Sequence, residues 1–382
     1  MTASRIMFVA GDPSGDHHAA AVLRRLHALR SDLSCFGVGG PAMAAAGFQP
    51  LLPFAPFNRM GFVEVATHLP FFLRAKRRLV RALEESRPAA LVCVDYPGLN
   101  IPLAEEAKRL GIPVVWYIAP QVWAWKPHRA ESLGRCAAFI GVVFPFETRY
   151  FEGFGAEVKF VGHPLMEAMT DNAFDAIHRR RAQWRNTYME KALHLGILPG
   201  SRAQEVGAML APMVDAFRLL RLSYPGLTAT VSRFAPLPQR LFRCTRGVAG
   251  LEVSTEPLDG VLARTDCAFV TSGTATLQTA LWQAPMVVAY RTSRLTYAIM
   301  RRMVKLPYIG LPNIVAQKKI VPECIQRAVN RQDLAAAMRP FIEAPAPNAE
   351  TADALARLAD MLGPLKPSRE MADAIVRIVG RG

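Results

Sequence analysis

Four short stretches bring together residues able to do chemistry, and each follows an apolar run. "AGDPSGD" carries Asp12, Ser14, Gly15 and Asp16. Its small residues suit a ligand loop, yet it lacks the Gly-Lys-Ser/Thr ending that cradles a nucleoside triphosphate. Two aspartates repel a bare phosphate, so a sugar or hydroxyl ligand fits it at least as well, and Asp16 as a plain helix cap is the alternative. "LVCVDYPGLN" delivers Asp95 as a candidate general base toward a bound hydroxyl, or as a turn-forming aspartate. "LPGSR" places Gly200, Ser201 and Arg202 where helix-start N–H groups and a guanidinium fork would hold an anion, unless it is an ordinary turn. "TSGTATLQ" repeats the theme with Ser272, Gly273, Thr274 and Thr276, where a serine cap is the simpler reading.

Chemistry at the ends of apolar runs requires strands to deliver it. Candidate strands are 5–10, 90–95, 113–118, 138–143, 193–198, 227–232, 267–271 and 286–290. They are continuous apolar runs, the pattern of parallel strands buried on both faces, and helical patterns alternate with them. The fold class is therefore α/β, with two doubly wound domains whose ligands lie beyond the carboxyl ends of the strands. The expected division is 1–165, 190–345 and a helical tail at 346–382, with a strand-free seam over 164–190 and a Pro- and Ala-rich linker at 340–350.

Among 382 residues, 46 Lys and Arg outnumber 31 Asp and Glu, a net charge of +15 that calls for an anionic partner. Nucleic acid is disfavoured, because no helix-turn-helix, zinc finger or aromatic RNP signature occurs. The six cysteines are scattered with no C-x-x-C pair, so neither a zinc site nor a disulfide framework is indicated. No D-x-D or other carboxylate pair is placed for a divalent ion, so no cofactor or metal is expected. Apolar stretches are too short to span a bilayer and no signal-peptide core is present, so a cytoplasmic location is expected. The segment 69–86, "LPFFLRAKRRLVRALEES", puts Phe72 and other apolar residues on one side of a helical wheel and Arg74, Arg77, Arg78 and Arg81 on the other. That is the pattern of an interfacial membrane helix, or of a sheet-covering helix with a solvated basic face. "RLTYAIMRRMVKLPYIGLP" at 294–312 repeats the mixture.

Eleven pieces, "AGDPSGD", "GVGGPAM", "MGFVEV", "DYPGLN", "QVWAWKPHR", "FPFE", "FVGHPL", "LPGSR", "SGTATL", "PMVVAYR" and "LPNIVAQKKIVPECIQ", together resemble the lipid-A-disaccharide synthase family. They stand in family order from residue 10 to about 326. The resemblance implies two Rossmann-like domains of GT-B type with the active-site cleft between them. It also implies inverting transfer of 2,3-diacylglucosamine from UDP to the 6-hydroxyl of 2,3-diacylglucosamine 1-phosphate. Asp95 and Arg202 would be catalytic. Gly200, Ser201, Arg202, Ser272, Gly273, Thr274, Gln278, Asn313 and Glu323 would hold the UDP-sugar, and Asp12, Ser14, Gly15 and Asp16 the acceptor. The partners implied are these two lipids and the cytoplasmic face of an inner membrane, contacted peripherally through Phe72 and the four arginines, and a homodimer is admitted. Asp12, Gly98 and Gln278 depart from the family pattern, where glutamate, a second aspartate and glutamate are usual. A non-lipid UDP-N-acetylglucosamine transferase or 2-epimerase would share the architecture without explaining the basic amphipathic helix.

Overall fold

The structure, a computed structural model, describes residues 5–57, 69–169, 171–186, 193–303, 306–343 and 345–380. "MGFVEV" at 60–65 lies outside the described residues, as do the last residues of the 164–190 seam. The chain forms two compact units, Met1–Glu167 with Leu362–Gly382, and Ala168–Met361.

The first unit is built on strands β1 (Arg5–Ala10), β2 (Ser34–Val38), β3 (Gln49–Pro50), β4 (Ala90–Val94), β5 (Val114–Tyr117), β6 (Phe139–Val142) and β7 (Glu157–Phe160). All pair in parallel in the order β3-β2-β1-β4-β5-β6-β7. The strand order reverses between β1 and β4, where ligands of doubly wound sheets gather. Ala10 pairs with Val94 there, so the Gly11–Asp12 turn and Asp95 leave the sheet side by side.

The second unit has β8 (His194–Leu198), β9 (Thr228–Ser232), β10 (Leu251–Ser254), β11 (Cys267–Thr271), β12 (Met286–Tyr290) and β13 (Glu323–Ile325), parallel in the order β10-β9-β8-β11-β12-β13. Its order reverses between β8 and β11, the strands that lead into "PGSR" and "SGTAT".

The central strands fold where the apolar runs indicated. β4 reads ALVCV and is buried throughout, because helices cover both its faces. Five strands lie outside the expected set: β2, inside the first sheet, whose apolar run is short and broken by Gly37; β3 and β13, of two and three residues; and β7 and β10, sheet edges with partly exposed residues. Helix Leu69–Ser86 buries Ala75, Leu79, Ala82 and Leu83 in the first unit's core, and Phe72 packs against that core beside Phe57 and Phe71. The apolar side of this helix therefore packs on the first unit's core, with Phe72 half-buried against it. Arg74, Arg77, Arg78 and Arg81 remain exposed, with Leu73 beside them.

The expected linker at 340–350 is mostly helical, in Arg331–Glu343 and Pro345–Leu362. The stretch 346–382 is shared between the units. Ala352, Leu355 and Leu358 are buried in the second. Helix Pro367–Val379 returns to the first, where it packs on helix Pro13–Leu29. Met371 there lies so close to Gly141 of β6 that a Cβ at Gly141 would collide with its sulfur. Among the described residues no helix is long and apolar enough to cross a membrane, and no cluster of His, Cys, Asp or Glu is arranged for a metal ion.

Candidate active site

A pocket of about 210 Å³ opens at the carboxyl ends of β4, β5 and β6 in the first unit, lined in part by Asp95, Trp125, Phe144 and Glu147. The backbone turns sharply to present Asp95. Asp95 and Tyr96 have φ of 45° and 54°, and Ile118, also on the pocket wall, has 60°. Such left-handed conformations cost a non-glycine residue about 1–3 kcal/mol each and persist only where the surroundings enforce them. Buried Asn100 supplies that enforcement, its Nδ2 donating to the Asp95 carbonyl at 2.7 Å and to that of Val9 at 3.2 Å. The Asp95 N–H donates to Tyr117 of β5 at 2.9 Å. The Tyr96 ring fills the space over Gly11, where a Cβ would meet it at 2.7 Å, and its hydroxyl donates to Phe57.

Burial, reinforced by the negative charge of Asp12, pushes the Asp95 carboxyl up to about 6. A carboxylate of that basicity takes a proton from a hydroxyl more readily than an ordinary aspartate. Asp12 caps helix Pro13–Leu29, accepting from Gly15 N at 3.2 Å, and burial raises its own carboxyl too. Gly15 is required there, since a Cβ would lie 2.7 Å from that carboxylate. Ser14 Oγ is exposed, 3.1 Å from His18 Nε2. Asp16 is buried, and its carboxylate accepts from Gly40, Ala42 and Met43 N–H at 2.8, 3.0 and 3.0 Å. It anchors the "GVGGPAM" turn.

Glu147, the last residue of "FPFE" and given no role in the sequence reading, shares the pocket with Asp95. Burial, with a contribution from the Asp95 charge, pushes it up to about 7. Its carboxylate accepts from Trp123 Nε1 at 2.8 Å and from Val143 and Phe144 N–H at 3.1 and 3.0 Å, fixing the aromatic wall formed by Trp123, Phe144 and Phe146. The signal was partial: Glu147 lies in the turn after β6, five residues beyond the strand, whereas Asp95 stands at the end of β4.

In the second unit, Gly200 has φ 106°, and a side chain there would strike the Glu205 carboxylate. That carboxylate accepts from Ser201 and Arg202 N–H at 3.2 Å each, and from the exposed Arg202 guanidinium at 3.1 Å. An anion at this turn would thus replace a carboxylate already in residence. Gly273, φ 152°, opens helix Thr274–Leu281 in a conformation reserved for glycine, with open space where a Cβ would point. Thr274 is exposed beside it, the Thr276 hydroxyl donates to the Gly273 carbonyl, and Ser272 Oγ donates to Ile309 O at 2.7 Å. Gln278 donates to Asp259 at 2.8 Å, so a carboxylate stands beside the amide that departs from the family pattern. Asn313 and Glu323 act on the chain itself. Glu323 accepts from Ile309 N, Gly310 N and Asn313 Nδ2, while Asn313 Oδ1 accepts from Ile320 and Val321 N–H. Together they hold the loop that bonds Ser272.

Comparison with known proteins places these sites in context. Residues 6–372 match the family model described as lipid-A-disaccharide synthetase. A lipid-A-disaccharide synthase of Pseudomonas aeruginosa is 36% identical over 386 residues, covering 99% of this chain and 98% of that one. The calicheamicin glycosyltransferase CalG4 superposes with a TM-score of 0.62 at 16% identity, covering 100% and 99% of the two chains. A UDP-GlcNAc 2-epimerase from Neisseria meningitidis, bound to UDP-GlcNAc, gives 0.57 at 10% identity, covering 99% of each. These two solved structures share the fold, whereas the sequence match extends through both units. The chain belongs to the lipid-A-disaccharide synthetase family.

Proposed function

We propose that the protein is an inverting glycosyltransferase. It moves a 2,3-diacylglucosamine unit from UDP to the 6-hydroxyl of 2,3-diacylglucosamine 1-phosphate, giving a β-1,6-linked disaccharide phosphate and UDP. The observation that carries the mechanism is Asp95, a carboxylate of raised basicity held by an enforced turn at the edge of a pocket. Asp95 takes the proton of the 6-hydroxyl as its oxygen attacks the donor's anomeric carbon, and the bond from that carbon to the diphosphate oxygen breaks on the opposite face. Charge on the departing UDP is met by Arg202 and the helix starts after Gly200 and Gly273. Glu205, now bonded to the same N–H groups, yields them to the diphosphate. The acceptor rests against the Asp12–Ser14 turn. The exposed Arg74, Arg77, Arg78 and Arg81 draw the protein to an anionic membrane surface from which both lipids come.

A coupled assay for UDP tests this reading. UDP is expected only when the diacylated donor and the sugar phosphate acceptor are both present. Release without the acceptor, or epimerisation of UDP-N-acetylglucosamine, would overturn it.

A further inference from the structure

The turn between β5 and helix His128–Cys136 carries charge that the scheme above leaves unused. Trp125 lines the Asp95 pocket, with Lys126 Nζ 4.7 Å and Arg129 Cζ 5.3 Å from its ring centroid. Both cations are half-buried, and among the described residues neither has a carboxylate within ion-pair distance. Burial holds the Arg129 guanidinium below its ordinary range, the direction for a cation without an anionic partner. The chain accepts strain to arrange them: Lys126 has φ 52°, a left-handed conformation, and its carbonyl accepts from Arg129 N–H at 3.0 Å. A surface pair with no task needs neither an aromatic platform nor a strained backbone.

We propose that Lys126 and Arg129 form the subsite for the acceptor's anomeric phosphate monoester while Asp95 receives its 6-hydroxyl. The inference rests on the transferase reading. In a hexose 1-phosphate the phosphate and the 6-hydroxymethyl group stand on the two carbons flanking the ring oxygen, so a sugar seated at Trp125 presents both from one edge, the hydroxyl to the Asp95 carboxylate and the phosphate to the cations beside the Trp125 ring. The guanidinium fork meets two phosphate oxygens and the ammonium a third. The pair therefore selects a phosphorylated acceptor over its neutral counterpart.

Calorimetric titration of the full chain with glucosamine 1-phosphate and with glucosamine tests the subsite. Wild type is expected to prefer the phosphate. Lys126→Gln or Arg129→Gln should each weaken phosphate binding on the order of tenfold, and the double variant should erase the preference. Arg129→Lys should recover part of it, which separates charge from folding. Affinity for UDP and for anionic phospholipid vesicles should not change. A double variant that keeps the preference, or a wild type without one, overturns the proposal. Parallel loss of UDP affinity, or of vesicle binding, overturns it too by assigning the cations to the donor diphosphate or to lipid headgroups. Disaccharide formation by wild type is scored separately: phosphate preference without disaccharide refutes the transferase reading alone, and disaccharide with an unchanged preference in the double variant refutes the subsite alone.

Discussion

At the scale of single residues, the proposed scheme divides the chemistry between Asp95 and Arg202, and each makes a distinct prediction. Asp95→Asn keeps shape and removes basicity, so the variant should fold, bind UDP as wild type does, and lose most turnover. Near-normal turnover in it would remove Asp95 from the mechanism. The sign of the pH dependence follows from the raised carboxyl. A base must be deprotonated to act, so kcat/KM of wild type should fall as pH drops through about 6, not through the range of an ordinary aspartate near 4. A profile flat to pH 4.5 would mean another group takes the proton. Arg202→Ala should cost on the order of 10²-fold in turnover, and lysine should restore only part, lacking the planar fork. The positions of Asp95 and Arg202 after strand ends were legible, because a strand end followed by a turn is a place sequence can mark. The internal duties of Asp16, Asn313 and Glu323 were not. Each binds backbone N–H groups of a neighbouring turn or loop, and such pairing is set by tertiary placement that no local spacing reveals.

At the scale of elements, helix Leu69–Ser86 shows how an amphipathic pattern can be satisfied in two ways. Its apolar residues could have met lipid or sheet, and the described ones meet the sheet, except for exposed Leu73. Pattern alone cannot choose, because both environments reward burial of the same face. What remains for a membrane is the basic side, whose attraction is electrostatic, roughly 1 kcal/mol per arginine near an anionic leaflet. Neutralising Arg74, Arg77, Arg78 and Arg81 together should release the protein from anionic vesicles, and raised salt should do so in part, while turnover on detergent-dispersed lipid survives. Cosedimentation equal to wild type would move the contact elsewhere. Among the strands, β1, β4, β8 and β11 announced themselves as unbroken apolar runs because they lie inside their sheets. Edge strands β7 and β10 alternate and β13 is brief, so the same signal was absent there.

At the scale of the whole molecule, the chain builds one parallel sheet per unit and then spends its last helix on the first. Met371 is fully buried in that return, so Met371→Ala should destabilise the first unit by about 2–5 kcal/mol. The unfolding transition that UDP protects should stay in place, and a shift of both transitions together would show that the units unfold as one. Fold class and family order were readable in sequence, since periodicity and ordered motifs survive without coordinates. The sharing of 346–382 between units was not, because its helical patterns do not say which sheet they cover. On the proposed reading this chain joins two diacylated glucosamines through a proton transfer to Asp95. The most direct measurement is mass spectrometry with linkage analysis of the product made from UDP-2,3-diacylglucosamine and 2,3-diacylglucosamine 1-phosphate, by wild type and by Asp95→Asn. Wild type should yield the β-1,6 disaccharide 1-phosphate and the variant almost none. A wild-type reaction without disaccharide, or an equal yield from the variant, would rule out proton transfer to Asp95.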